Sequence, residues 1–189
     1  MFSANAVAPL PNIHRGGRAA SILRNWSFNN IFTVRSGIPF TPTVGGDALG
    51  LLGSQTFQFP DRIVADRSCI RSHDVNYIDT SCFAFPGTVP YGNGLHGPRL
   101  GTGRRNSLNG PGLFFWTTGL MKDQPITERV HAQFQAQAFN VTNHTNFANP
   151  ASAQTQIFNG SGQLSSTAGI LTAVTTPGRQ LQFALKLIF

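Results

Sequence analysis

Few side chains in this 189-residue sequence are of types and spacings that do chemistry, and Cys69 and Cys82 come first among them. They are its two cysteines, separated by twelve residues that include Asp74 and Asn76. This spacing suits a disulfide that cross-links a loop in an oxidising compartment, worth about 3 kcal/mol in the chain-entropy model. Two unconnected thiols are the alternative. A metal site would have to recruit His73 and His96 beside them, and that spacing matches no zinc pattern. His14, His131 and His144 are isolated, and His131 is either a pH-sensitive imidazole or, more ordinarily, a solvated spacer. Gly160-Ser161-Gly162 lacks the spacing of a nucleophile elbow. The seven carboxylates are scattered without an acid–base pair. The glycine-rich run from Gly92 to Gly112 contains no phosphate-cradling Gly-Lys-Ser/Thr. The expectation is therefore a protein that is not an enzyme, with no metal and no cofactor.

The elements that hold these residues follow from composition and period. Hydrophobic residues make up 40% and charged residues only 11%, so much of the chain is Gly, Ser, Thr, Asn and Gln. Sixteen Phe with 20 Gly and 12 Pro favour strands and turns over helices. No window carries a period of 3.6 residues, and no apolar run is long enough for a transmembrane helix. Residues 1–8 lack the basic start and sustained apolar core of a secretory signal. The net charge of +7 is carried by 12 Arg and two Lys spread along the chain. Without a basic helix, an RNA-binding aromatic signature or zinc-finger spacing, nucleic acid is not an expected partner. Arginine's fork suits lipid phosphate equally well.

Side chains in a strand repeat with period two, and five segments show it: near residues 2–10, 22–36, 113–122, 128–141 and 179–189. In the last, Leu181, Phe183, Leu185, Leu187 and Phe189 share one face, opposite Gln180, Gln182, Ala184, Lys186 and Ile188. In the fourth, Val130, Ala132, Phe134, Ala136 and Ala138 oppose Arg129, His131, Gln133, Gln135 and Gln137. A row of amides is costly against a dry core and free of that cost against water. Short connections (Pro11 to Ser21, Asp123 to Thr127) alternate with long ones, residues 37–112 and 142–178, as in outer-membrane barrels. The expected fold is all-β: antiparallel, up-and-down strands of an incomplete outer-membrane β-barrel, about five strands with two long extracellular loops. Phe28, Phe32, Phe134 and Leu185 would face lipid, with Trp26 and Trp116 in the aromatic girdles. Arg129, His131, Gln133, Gln135, Gln137 and Lys186 would face the lumen. Five strands cannot close such a barrel, whose minimum is about eight. The chain is then expected to be the C-terminal part of a larger barrel or a truncated reading frame of one. A soluble or secreted β-sandwich module or adhesin would bury the same apolar faces between two sheets, and alternation alone does not separate the two. A gene fragment with no independent function is a further alternative.

Several runs carry a family resemblance. These are Arg105-Asn106-Ser107-Leu108-Asn109-Gly110-Pro111-Gly112 ahead of Trp116, Pro125-Ile126-Thr127-Glu128-Arg129-Val130, and Phe139-Asn140-Val141-Thr142-Asn143-His144 with Asn146-Phe147. Pro177-Gly178-Arg179 leading to Lys186-Leu187-Ile188-Phe189 and Ser36-Gly37-Ile38-Pro39-Phe40-Thr41 complete the set. Together they resemble the C-terminal barrel region of TonB-dependent receptors, in particular the Oar-like group with a carboxypeptidase-regulatory-like N-terminal domain abundant in Acidobacteria. The resemblance implies a barrel of about 22 strands in the outer membrane of a Gram-negative bacterium, structural to a ligand-uptake channel. It implies as partners the remaining barrel strands and plug of the receptor, outer-membrane lipid, and the barrel assembly machinery. The periplasmic energy-transducing complex would be met only through the plug, which is absent from this sequence. Gln182, Ala184, Leu187 and Phe189 would form the C-terminal assembly signal, with Ala184 where Gly is frequent.

Overall fold

The computed structural model describes residues 1–11, 22, 24–46, 58–64, 68–72, 74–88 and 99–189. His14, His73 and His96 lie outside them. The strands in chain order are β1 (Phe2–Pro9), β2 (Trp26–Arg35), β3 (Pro39–Phe40), β4 (Thr43–Val44), β5 (Asp61–Arg62), β6 (Phe83–Ala84), β7 (Leu108–Asn109), β8 (Leu113–Pro125), β9 (His131–Phe139), β10 (Gln156–Phe158) and β11 (Gln180–Ile188). One short helix, α1 (Ser152–Thr155), precedes β10, and none of the described helices is long and apolar enough to cross a membrane. The chain divides into two compact units, Met1–Ser36 with Gly112–Asn146 and Val174–Phe189, and Gly37–Pro111 with Phe147–Ala173.

The first unit is a five-stranded antiparallel sheet in the order β1-β2-β8-β9-β11. Its strands are the alternating segments, because a period of two sends successive side chains to opposite faces. Strands β2, β9 and β11 have 10, 9 and 9 residues, within the length that a tilted strand needs to cross a bilayer. Gly119 of β8 lies opposite Asn29 of β2, and a Cβ there would stand 2.2 Å from Asn29 Oδ1. Asn25 opens β2 with φ 57°, a left-handed conformation that asparagine tolerates better than other side chains.

The register differs from the sequence pattern at one turn. The expected strand over 128–141 begins instead at His131, and β8 runs on to Pro125. Residues 126–130 form the turn. Ile126 and Thr127 both donate backbone N–H groups to Val130 O, while Thr127 Oγ1 accepts from Val130 N at 3.1 Å. These bonds hold Arg129 in the exposed turn, so its assignment to the lumen row of the sheet is corrected. The threonine hydroxyl competes successfully with the ladder for the backbone donors.

Strands β2 and β9 run one way and β1, β8 and β11 the other. Residues 36–112 and 140–179 therefore leave from the same end of the sheet. The 126–130 turn and Phe189 lie at the opposite end.

The second unit shows that the two long connections are more than loops. They fold around a core of Phe40, Tyr77, Ile78, Phe83, Leu108, Ile157 and Leu171, with Cys69 and Cys82 also at zero exposure. Pairs β3–β7 and β5–β6 are antiparallel and β4–β10 is parallel. Pro39 opens β3, and Pro42 lies between β3 and β4, where its missing ladder donor breaks the strand. Cys69 and Cys82 form a disulfide with Cα atoms 5.9 Å apart. Asp61, 2% exposed, takes both arms of Arg99 at 2.8 and 2.7 Å and the Thr102 N–H at 3.0 Å.

Candidate functional site

The five-stranded sheet carries the functional surface, and its register defines two faces of opposite character. Residues directly opposite in adjacent strands share a face. One row reads Phe28, Leu120, Ala136, Phe183, and the next reads Trp26, Lys122, Phe134, Leu185. Phe32 sits opposite Trp116 and Val34 opposite Phe114. Phe28, Phe32, Phe134 and Leu185 thus share a single apolar face. Phe32 meets the Phe114 ring edge-on at 5.2 Å, and Phe134 stacks near Phe183 at 6.4 Å. Polar groups on this face satisfy one another: the half-buried Trp116 donates from Nε1 to Asn30 Oδ1 at 3.1 Å.

The opposite face carries His131, Gln133, Gln135 and Gln137 of β9 against Ile188, Lys186, Ala184 and Gln182 of β11. Gln135 Nε2 donates to Gln133 Oε1 at 3.1 Å, and His131 Nδ1 lies 3.4 Å from Asp123 Oδ1. Across β2 and β8 this face is mixed, with Ser27, Asn29, Thr33 and Thr117 beside Ile31, Phe115 and Met121. Of the C-terminal set, Gln182 and Ala184 lie on this face and Leu187 on the apolar one; Phe189 follows the last paired residue and is 92% exposed.

The apolar band crosses the strands obliquely. On β2 it runs from Trp26 to Val34, centred on residue 30. On β11 it runs from Leu181 to Phe189, centred on Leu185, which is level with Phe134, Lys122 and finally Trp26. Over three strand spacings the centre has moved four residues, about 13 Å along the strand against about 14 Å across it. A level band of that kind implies strands tilted by about 40° from its normal, the inclination at which strands cross a bilayer in a closed barrel. Leu181, Phe183 and Leu185 are 65%, 67% and 72% exposed, an apolar row that water does not tolerate and lipid does.

Three asparagines close the sheet at the end from which the long segments leave. β9 pairs with β8 only as far as Ala138 opposite Thr118. Beyond that point the Asn146 side chain takes over: Phe114 N donates to its Oδ1 at 2.8 Å, and its Nδ2 donates to Phe114 O and to Thr176 Oγ1, both at 2.9 Å. Asn140, left-handed at φ 48° and fully buried, donates to His144 O and Pro177 O. Asn143 Oδ1 accepts the Arg179 N–H ahead of β11. Their signal was the repeated Asn in the 139–147 run, whose spacing carries no strand period. The Asp61–Arg99 pair had no local signal, being separated by 38 residues.

Among the described residues no three His, Cys, Asp or Glu side chains converge on a point where a metal ion would bind. In the second unit Tyr77 donates its hydroxyl to Asn109 O at 2.8 Å, and burial pushes its phenol above the ordinary value.

A sheet with one oblique, lipid-compatible face and an opposite face that carries a row of amides has the pattern of a membrane-barrel wall. In agreement with this, the family model of the outer membrane beta barrel domain matches residues 1–182. The chain belongs to that family, and its place is the outer membrane of a Gram-negative bacterium. No curated protein and no solved structure matches it. Family membership removes the soluble-sandwich alternative.

Proposed function

We propose that this chain is wall, and not catalyst, in a TonB-dependent uptake receptor of the Oar-like kind, forming the C-terminal part of its barrel. The observation that carries the reading is the polar face. Gln133, Gln135, Gln137 and Gln182 stand side by side on two strands with Lys186 beside them, and such a row needs water or a polar protein domain against it. Among the described residues the outer edges of β1 and β11 have no partner strand in the sheet, which in lipid calls for further strands on both sides. The 105–112, 125–130, 139–147 and 177–189 runs support the receptor resemblance. The partners are then the remaining strands, a plug filling the lumen, the assembly machinery at β11, and an energy-transducing complex acting through the plug. The long segments lie on the outer surface, where a ligand arrives.

A photo-crosslinking residue in place of Gln135, in native outer membranes, tests this. Capture of a plug domain is the expected result. A lumen open to membrane-impermeant reagents without a captured protein would make the barrel a passive pore and overturn the receptor reading. Capture of lipid alone would overturn the assignment of the faces.

A further inference from the structure

A groove interrupts the apolar face along β9. In the row that joins Phe28, Leu120, Ala136 and Phe183, and in the next, which joins Thr118, Ala138 and Leu181, β9 contributes only alanine between larger neighbours. Phe28 and Leu120 wall one side and Leu181 and Phe183 the other, around a groove of about 160 Å³. Phe134, the preceding residue of β9 on this face, stacks near Phe183 at 6.4 Å and ends the groove toward the 126–130 turn. The other end runs out past Ala138 and Leu181, toward residues 140–179. Thr118 donates its hydroxyl to Asn29 O at 3.3 Å, so the lining suits a ligand without hydrogen-bonding groups.

An apolar groove in a bilayer is filled by hydrocarbon or is void, and a void forfeits the dispersion contacts of its lining. An acyl chain lying along β9 has protein on three sides, where a chain on a flat part of the face has it on one. The open end of the groove also carries a charge. Arg179, exposed, stands two residues ahead of Leu181, and its backbone N–H is held by Asn143 Oδ1 at 3.0 Å. Among the described residues no carboxylate pairs with its guanidinium, a group whose fork matches phosphate. We propose that the groove seats one acyl chain of the phosphorylated glycolipid of the outer leaflet, with the phosphate of that lipid on Arg179. The site rests on the lipid-facing reading of the apolar face and on the long segments lying outside.

Photolabelling tests the two levels separately. Lipid A and phosphatidylglycerol, each with a photoactivatable group in one acyl chain, are offered to the full chain in vesicles, and the labelled peptides are located. Lipid A should label residues 134–138 and 181–185. That labelling should be lost when Ala136→Leu with Ala138→Leu fills the groove, and should fall about fivefold in Arg179→Gln. It should persist in Ala132→Leu, on the same strand and face outside the groove. Arg179 lies outside the strands, so its arm stands even where the filled groove fails to insert. Label spread over the face and unmoved by the filling pair, or unmoved by Arg179→Gln, overturns the site alone. Equal labelling of these residues by phosphatidylglycerol overturns the choice of occupant and the proposal with it. Absence of label on the face from both lipids overturns the lipid-facing reading together with the site.

Discussion

Replacing Leu185 with arginine separates a membrane wall from any soluble sheet. Leu185 is the middle residue of the five apolar positions from Leu181 to Phe189, so on the proposed lipid-facing reading it lies near the bilayer midplane. It is also 72% exposed. If that exposure were to water, the substitution would change stability by no more than about 0.5 kcal/mol, as for other surface sites. If it is to hydrocarbon, a guanidinium at mid-depth costs about 2–4 kcal/mol, a factor of roughly 30 to 1,000 in the folded population. The assay is urea unfolding of the lipid-embedded barrel, followed by the mobility shift between folded and heated forms on a gel. Gln182→Arg, on the same strand and the opposite face, is the internal control and should stay within about 0.5 kcal/mol. Equal stability of Leu185→Arg and the parent, or equal loss in both variants, would refute the assignment of faces.

Other outcomes follow from single contacts. Asn146→Ala strands the Phe114 N–H and C=O, and at about 1–3 kcal/mol for each buried group left unpaired the first residues of β8 should lose amide-exchange protection while the β9–β11 ladder keeps its own. Breaking the Cys69–Cys82 bridge, by Cys69→Ser with Cys82→Ser, should lower the stability of the second unit by about 3 kcal/mol, read as faster proteolysis within residues 37–111 and unchanged cleavage of the sheet. Tyr77 has a phenol raised above 10.0 by burial, so the unfolded chain ionises first. Its contribution is complete below pH 10 and declines as pH climbs through the raised value, and Tyr77→Phe should remove that decline in an alkaline unfolding series.

The sheet was readable from sequence because each strand needs only its own alternation to declare itself. Phe134 and Gln135, adjacent in sequence and opposite in character, already give β9 one apolar and one polar side. The turn at 126–130 was not readable, because the choice between ladder and Thr127 hydroxyl is made by hydrogen bonds that periodicity does not contain. The second unit was hidden for another reason. Phe40, Ile78, Phe83, Leu108 and Ile157 are single apolar residues among Gly, Pro and Ser, and they become a core only through pairings between distant segments. Asn146 shows the same limit within the sheet: its carboxamide stands in for a strand, and a side chain doing backbone work leaves no period to detect.

The way the second unit is stitched also sets a clock. Val44 pairs with Phe158, and Asn76 bridges to Ile170, so its core is shared between the segment before β8 and the segment after β9. Neither segment holds all of Phe40, Leu108, Ile157 and Leu171. Closing such distant contacts is slow, and they become available only after the intervening strands have been synthesised. The Cys69–Cys82 bridge lies wholly in the earlier segment and can form ahead of them. The second unit thus closes late, with one stitch set in advance, and a stalled insertion would leave its core residues open to proteases.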